Sequence, residues 1–289
     1  MSNINIIDES MQGKLDYTLM NDFLAKYSLQ NNTYALAGLL AALLRIDTDD
    51  IKDIQILNPI QPAALINEKM CILDINLELN NSEIINIEIQ AAFQAFWPER
   101  SITYLCRNFD QLKSGECYEN IKPCIHIGIL EKSLFHRNDP RYTDEFYSEY
   151  AILNKNTHTE YSSKFEIRVL SLEHLENASE ADRNDSNGLY YWACLFAATS
   201  WEELKMIAEE NPRMQSFVGT IRELTADEQV AMACESRRRY SIDKASYEYE
   251  VKMAKQEAES AKQEAEISKQ ELESVKKELE ELKRLISAK

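Results

Sequence analysis

Apolar and polar residues alternate along residues 71–90, which read CILDINLELNNSEIINIEIQ. Alternation with a period of two is typical of a strand that buries one face and exposes the other. Between the two alternating runs, Asn80-Asn81-Ser82 has the composition of a tight turn. The pattern therefore predicts a β-hairpin. Its buried side chains are expected to be Leu73, Ile75, Leu77 and Leu79 in the first strand and Ile85, Ile87 and Ile89 in the second.

Two carboxylates are expected to meet on the polar face of this hairpin. If the chain folds back about Asn81, Asp74 lies directly opposite Glu88, and directly opposed side chains start about 5 Å apart. Two carboxylates at that distance repel each other unless a cation lies between them. Mg²⁺ or Mn²⁺ is the expected cation, because both prefer oxygen ligands. The alternative is an ordinary solvent-facing pair of acidic residues that needs no metal.

The remainder of residues 1–175 alternates between helical and extended patterns. Apolar spacing predicts helices over residues 15–31, 34–44 and 98–112, and strands over 48–58, 122–130, 141–154 and 165–172. The strand at 122–130 is apolar enough to be central, and His126 within it is interpreted as a core residue rather than a catalytic one. Helices interleaved with strands predict an α/β (α+β) core, a mixed central sheet flanked by helices.

A helical region and a heptad repeat follow this core. Residues 189–208 and 212–224 have helical patterns, and Thr225 is expected to cap the next helix with Glu228. In residues 241–289, apolar positions are spaced alternately by four and three residues, as in a left-handed coiled coil. The seam consists of Tyr247, Val251, Ala254, Ala258, Ala261, Ala265, Ser268, Leu272, Val275, Leu279, Leu282 and Ile286. The expected domains are a core (1–175), a helical accessory region (176–240) and a coiled-coil helix (241–289) that self-associates through residues 247–286.

Composition narrows the class of protein. With 289 residues and 44% hydrophobic content, the chain is long and apolar enough to bury a core. Its six cysteines lack paired spacing, and no apolar run is long enough to cross a bilayer, which predicts a cytoplasmic protein with reduced thiols. The net charge is −17, most of it outside the heptad segment. That acidity argues against extensive phosphate binding, since affinity for nucleic acids comes largely from basic side chains.

The order of motifs resembles the PD-(D/E)XK nuclease family transposases, the recombination-promoting nucleases. Residues 21–27 (NDFLAKY) are similar to the family's NDxxFKxxF, residues 73–75 (LDI) to its LD[IV] strand, and residues 87–90 (IEIQ) to its IE[IM]Q strand. Residues 115–118 (GECY) and 122–130 (KPCIHIGIL) are similar to its G-x-x-Y and KPxxxIxIL segments. The resemblance covers roughly residues 12–250 and implies a restriction-endonuclease-like core.

The resemblance also implies roles for individual residues. Asp74 and Glu88 would bind Mg²⁺ or Mn²⁺, with the backbone carbonyl of Ile89 and the carboxylate of Asp22 as further ligands. Gln90 stands where the broader superfamily has a catalytic Lys, and it would orient water through hydrogen bonds. The remaining assignments are Lys26, as a substitute cation in catalysis, and Arg100, as a contact to the substrate phosphate.

Two functions of different classes follow from these observations. The first is a metal-dependent DNA endonuclease that acts in recombination or transposition. The alternative is a nuclease-fold protein with little or no activity that assembles through its coiled coil, which the acidic body and Ala25, in place of the family's Phe, favour. RNA as the substrate is a third possibility, although no platform of basic and aromatic residues argues for it.

Overall fold

In a computed structural model of the chain, a mixed six-stranded sheet carries the candidate site. The model describes residues 11–57, 60–61, 71–72, 75–185, 188–209 and 211–287. The sheet has the order β1-β4-β5-β6-β8-β7. Its strands are β1 (Ile54–Ile56), β4 (Ile75–Leu79), β5 (Glu83–Gln90), β6 (Cys124–Leu130), β7 (Tyr147–Ala151) and β8 (Phe165–Ser171), and the short strands β2 (Ile60–Gln61) and β3 (Cys71–Ile72) pair separately. The expected mixed α/β fold class is confirmed.

The described part of the predicted hairpin has the expected register. Strands β4 and β5 are antiparallel, and Ile75 pairs with Ile87 while Leu77 pairs with Ile85. Asn80 and Asn81 both have positive φ angles, of 51° and 54°. Asparagine tolerates this left-handed conformation better than most residues, and two such residues in succession form the turn that matches the twist of a hairpin. The sequence therefore identified both the turn and the pairing.

Parallel pairing places three strands side by side at the centre of the sheet. Strand β6 is parallel to β5 on one side and to β8 on the other, and all seven of its residues are buried. The outer pairs β1/β4 and β7/β8 are antiparallel. The carboxyl ends of β5, β6 and β8 therefore lie along one edge of the sheet, where ligands bind in many α/β proteins.

Helices cover both faces of the sheet. They are α1 (Asp22–Asn31), α2 (Thr33–Leu44), α3 (Trp97–Phe109), α4 (Glu180–Arg183), α5 (Leu189–Ala197), α6 (Trp201–Ala208), α7 (Pro212–Thr225) and α8 (Glu228–Ser287). Side chains from α1, α2, α5, α6 and α7 pack with the apolar face of the strands in one large core. Helix α3 packs on β6 and β8. Its contacts lie on the polar face of the central strands.

Two helix starts differ from the sequence-based expectation. The first helix begins at Asp22, capped by the side chain of Asn21, whereas the pattern predicted a start near residue 15. Thr225 does not cap α8, because it ends α7 and its hydroxyl donates to the carbonyl of Ile221. The cap of α8 is instead Asp227, whose carboxylate accepts hydrogen bonds from two backbone amides of the first turn.

The chain divides into two compact units, Met1–Glu235 and Ser236–Lys289. The first unit contains the sheet and helices α1 to α7, together with the first residues of α8. The second is the remainder of the single long helix α8, so the predicted heptad segment is helical to Ser287. The domain boundaries at residues 175 and 240 stay a prediction. Among the described residues, no helix has both the length and the apolar character needed to cross a membrane.

Candidate active site

Glu88 is a buried carboxylate near the carboxyl end of β5. Its side chain faces helix α3, and the residue is 1% exposed. Arg100 Nη2 lies 3.0 Å from Oε1, and His126 Nε2 lies 3.4 Å from Oε2. Both contacts are close enough for electrostatic attraction, but neither carboxylate oxygen accepts a well-aligned hydrogen bond from the residues that the structure describes. Glu88 therefore has counter-charge nearby and retains lone pairs for another partner.

His126 faces Glu88 from the neighbouring strand, and Asn86 determines which ring nitrogen carries its proton. The Nδ2 atom of Asn86 lies 2.9 Å from Nδ1 of His126. An amide nitrogen can only donate, so Nδ1 must accept, and in the neutral imidazole the proton then resides on Nε2. Because Nε2 is the atom next to Glu88, an N–H group is directed at the carboxylate. His126 is fully buried, and Trp97 and Tyr104 contact its ring.

Arg100 connects the buried carboxylate with the surface. Its Nε donates to the hydroxyl of Tyr104 at 3.0 Å, and its Nη1 donates to Oε1 of Gln94 at 2.9 Å. The guanidinium also lies 5.1 Å from the centre of the Tyr104 ring. Since 34% of the Arg100 side chain is exposed and only 2% of Glu88 is, Arg100 is the member of the pair that solvent and a substrate can reach.

Further polar side chains continue this row beneath α3. Asn108 of α3 donates from Nδ2 to Oδ1 of Asn76 at 3.0 Å, and Asn76 pairs with Asn86 across β4 and β5. All three residues are buried. The sequence predicted the polar face of the hairpin as solvent-exposed, and this expectation is wrong for Asn76, Asn86 and Glu88 because α3 covers them.

The other candidate residues of the hairpin are Asp74, Ile89 and Gln90, of which Ile89 and Gln90 are the last two residues of β5. Asp74 lies outside the described residues, so the expected approach of its carboxylate to Glu88 stays a prediction. Ile89 is buried and pairs with Ile129. Gln90 is half-buried and contributes to a shallow depression that also contains Gln94, Trp97 and Ser133. An amide side chain at this place is suited to orienting water or a phosphate oxygen.

Asp22 and Lys26 lie on α1, which contacts β5. Asp22 is in the first turn, where its Oδ1 accepts a hydrogen bond from the amide of Phe23. Burial, together with the nearby negative charge of Asp22, raises the pKa of the Cys234 thiol to about 11. Asp22 therefore lies near the start of α8. Its predicted role as a metal ligand, and that of Lys26 as a catalytic cation, stay predictions.

His126 and Asn86 lie next to Glu88, a proximity that the sequence did not predict. A single histidine in an apolar strand resembles a core residue, and Asn86 has the same alternation as its neighbours. The available signal was the parallel register, in which Asn86 pairs with His126 and Glu88 with Gly128. These residues come together only when β5 and β6 are known to be adjacent, so periodicity within one strand was insufficient.

The side chain of Glu88 fits a divalent cation, because its two buried oxygens retain unused acceptor capacity. Within the described part of the chain, however, no three His, Cys, Asp or Glu side chains form a group that could hold a metal ion. A metal at Glu88 would therefore need ligands in addition to the described His, Cys, Asp and Glu side chains.

Comparison with known protein families identifies a match over most of the chain. The model of the PD-(D/E)XK nuclease family transposases matches residues 19–251, which includes the sheet, helices α1 to α7 and the first part of α8. No curated protein and no solved structure matches the chain.

Proposed function

The chain belongs to the PD-(D/E)XK nuclease family transposases, and on that premise we propose that it is a metal-dependent DNA endonuclease of the recombination-promoting type. The observation that carries the proposal is Glu88. A carboxylate that is 1% exposed, with both oxygens lacking a well-aligned hydrogen bond from the described residues, is costly to maintain for stability alone. A site for a cation explains why such a residue lies beneath α3.

In this proposal Asp74 and Glu88 hold Mg²⁺ or Mn²⁺, with the carbonyl of Ile89 and the carboxylate of Asp22 as further ligands. The bound metal would polarise the scissile phosphate and lower the pKa of a water molecule so that it can attack. Asp74 enters from the sequence alone, through the expected continuation of the hairpin pairing.

The remaining side chains position the reactants. His126 orients the Glu88 carboxylate from the neighbouring strand β6, and Gln90 orients the attacking water at the end of β5. Arg100 is proposed to contact a phosphate oxygen of the substrate, for which its partial exposure and planar guanidinium are suited. Lys26 supplies further positive charge to the transition state.

The test compares cleavage of plasmid DNA by the wild-type protein, Glu88→Gln and Glu83→Gln in Mg²⁺ or Mn²⁺. Glu83 lies at the other end of the same strand, so Glu83→Gln makes the same chemical change away from the proposed site. We expect Glu88→Gln and Asp74→Ala to lower cleavage by at least about 10³-fold, as is usual for loss of an essential catalytic group, and Glu83→Gln to retain it.

Calorimetry with Mn²⁺ provides the second measurement. Saturable binding by the wild-type protein that is lost in Asp74→Ala/Glu88→Ala supports the proposed ligands. If the folded wild-type protein neither binds metal in the presence of DNA nor cleaves DNA, the endonuclease proposal is wrong.

The alternative function is an inactive nuclease-fold protein that acts through assembly. The net charge of −17 favours it, because a strongly acidic protein repels DNA, and the 49 acidic residues outnumber the 32 basic residues that could bind phosphates. In that case the residues around Glu88 would contribute only to the stability of the fold, and the Glu88→Gln variant would differ from the wild type in stability only.

Self-association through residues 247–286 is proposed under either function. In the described part of this segment, seam residues such as Leu272, Val275 and Leu279 are 55%, 59% and 51% exposed. An exposed apolar stripe along a long helix is typical of a surface that binds another helix.

A further inference from the structure

Charged residues flank the seam of α8 in a regular arrangement. On one side of the seam, each of four successive heptads has a lysine, at Lys255, Lys262, Lys269 and Lys276. On the other side, successive heptads have a glutamate, and these include Glu257, Glu264 and Glu271. These are the e and g positions of a heptad, whose charges determine the partner and the orientation of a coiled coil.

A solitary helix accounts for the lysines but not for these glutamates. Lys255, Lys262 and Lys269 each have a glutamate four residues later, which gives a favourable pair within one helix. In contrast, the residues three and four positions from Glu257, Glu264 and Glu271 in either direction are Met, Ala, Ser, Ile or Val. These three glutamates consequently have no cation within reach on their own helix face.

A second, parallel copy of the helix provides the missing cations. In a parallel pair, a g residue faces the e residue of the next heptad on the partner. Glu257 then faces Lys262, Glu264 faces Lys269, and Glu271 faces Lys276, and each contact occurs twice by symmetry. In an antiparallel pair, e faces e and g faces g, so that lysines would meet lysines and glutamates would meet glutamates.

We infer that the surface along α8 binds another copy of this chain in a parallel, in-register orientation, with the Glu257–Lys262, Glu264–Lys269 and Glu271–Lys276 pairs selecting that orientation. The inference rests on the proposed self-association and adds its geometry. Because each copy of the first unit is joined to the amino-terminal end of its tail, a parallel arrangement brings two copies of that unit to the same end of the assembly.

Disulfide crosslinking of the full chain tests the orientation. In a background with the exposed Cys106 and Cys117 replaced by Ser, Ala254→Cys places a thiol on the seam, and Gln256→Cys places one two residues away on the outer side. Since residue 254 meets its own copy only in a parallel, in-register pair, we expect Ala254→Cys to form a covalent dimer under mild oxidation and Gln256→Cys to remain largely monomeric on a non-reducing gel.

Charge reversal tests the pairs. Glu257→Lys/Glu264→Lys/Glu271→Lys places lysine opposite lysine in a parallel pair, so the dissociation constant should rise about tenfold to hundredfold. The matched variant Glu259→Lys/Glu266→Lys/Glu273→Lys makes the same three changes on the outer face. It removes the pairs within the helix and should lower helical content more than association.

The outcomes distinguish self-association itself from its parallel, in-register geometry. A chain that light scattering finds monomeric at all concentrations overturns the proposed self-association. An oligomer in which Ala254→Cys does not crosslink, or in which the inner charge reversal weakens association no more than the outer one, overturns the parallel, in-register geometry while self-association stands.

Discussion

A single buried carboxylate sets the chemistry of the candidate site. Removing an ion such as Glu88 from water costs several kcal/mol even after the protein has relaxed, and a partner compensates for this only with good geometry. The nearby groups, Arg100 at 3.0 Å and His126 at 3.4 Å, offset part of that cost. The incomplete compensation is the physical reason to expect a further cationic partner at Glu88.

His126 is expected to act through Glu88. Replacing His126 with Leu removes the N–H that faces the carboxylate and leaves the Asn86 amide without its acceptor. This should cost about 1–3 kcal/mol of unfolding free energy and weaken Mn²⁺ binding about 10–100-fold, as is usual for a residue that orients a metal ligand. Urea denaturation and calorimetry measure the two effects.

His126→Gln is the matched control for this prediction. The amide of Gln can also direct an N–H group at Glu88, so Mn²⁺ affinity should stay within about threefold of the wild-type value. Equal loss of metal affinity in His126→Gln and His126→Leu would mean that an N–H group facing the carboxylate is not what orients Glu88. Similar affinity in all three proteins would show that His126 has a structural role only.

At the scale of elements, the position of α3 depends on a glycine in the central strand. A Cβ atom built at Gly128 would lie 2.4 Å from Cζ2 of Trp97, which is far closer than real carbon contacts. Trp97 is 2% exposed and packs with Leu130 and Val169 on this face of the sheet. The absence of a side chain at Gly128 therefore lets the first turn of α3 lie close to β6, next to His126.

Gly128→Ala should force this contact apart. We expect a loss of about 1–3 kcal/mol of unfolding free energy from overpacking and a weaker interaction of Arg100 with Glu88, because Arg100 lies on α3 and moves with it. Thermal or urea unfolding of the purified variant measures the loss.

Replacing Trp97 with the smaller Phe tests whether a steric clash with the new methyl group at position 128 causes this loss of stability. In the Trp97→Phe background, Gly128→Ala should be less destabilising than in the wild type, which a double-mutant cycle would report as a coupling energy. If the two changes are simply additive, the steric explanation is wrong.

On the scale of the whole molecule, α8 belongs partly to each compact unit. Its first residues, including Val230 and Cys234, are buried in the core, and Asn21 donates a hydrogen bond to the carbonyl of Cys234. From Ser236 onwards the helix forms the second unit. The beginning of α8 is therefore part of the folded core, and the remainder is a long helix that forms a unit of its own.

Two truncations of α8 are expected to differ in their effect on the stability of the core. Deleting residues 246–289 removes only residues of the second unit, so the urea midpoint of the core should change by no more than about 0.3 M while self-association is lost. Deleting residues 228–289 also removes Val230 and Cys234 from the core, which should cost about 2–4 kcal/mol. Circular dichroism and light scattering provide the measurements. Equal destabilisation by both deletions would contradict this division of α8.

The sequence by itself determined the local elements and their pairing in the hairpin. Strict alternation and two successive asparagines were sufficient for β4, β5 and the turn, because both signals act over a few residues. The buried strand β6 and the helical tail followed for the same reason. The order of short motifs also identified the family, which the match over residues 19–251 confirms.

Only the tertiary structure decided which polar residues are buried together. Asn76, Asn86, Glu88 and His126 lie on three different strands, and a helix that begins after Gln90 covers them. Periodicity reports that these residues share a face, but it cannot report whether water or α3 lies against that face. Burial and the ion pair of Arg100 with Glu88 depend on contacts between segments distant in sequence, and these contacts exist only once the sheet and α3 have assembled.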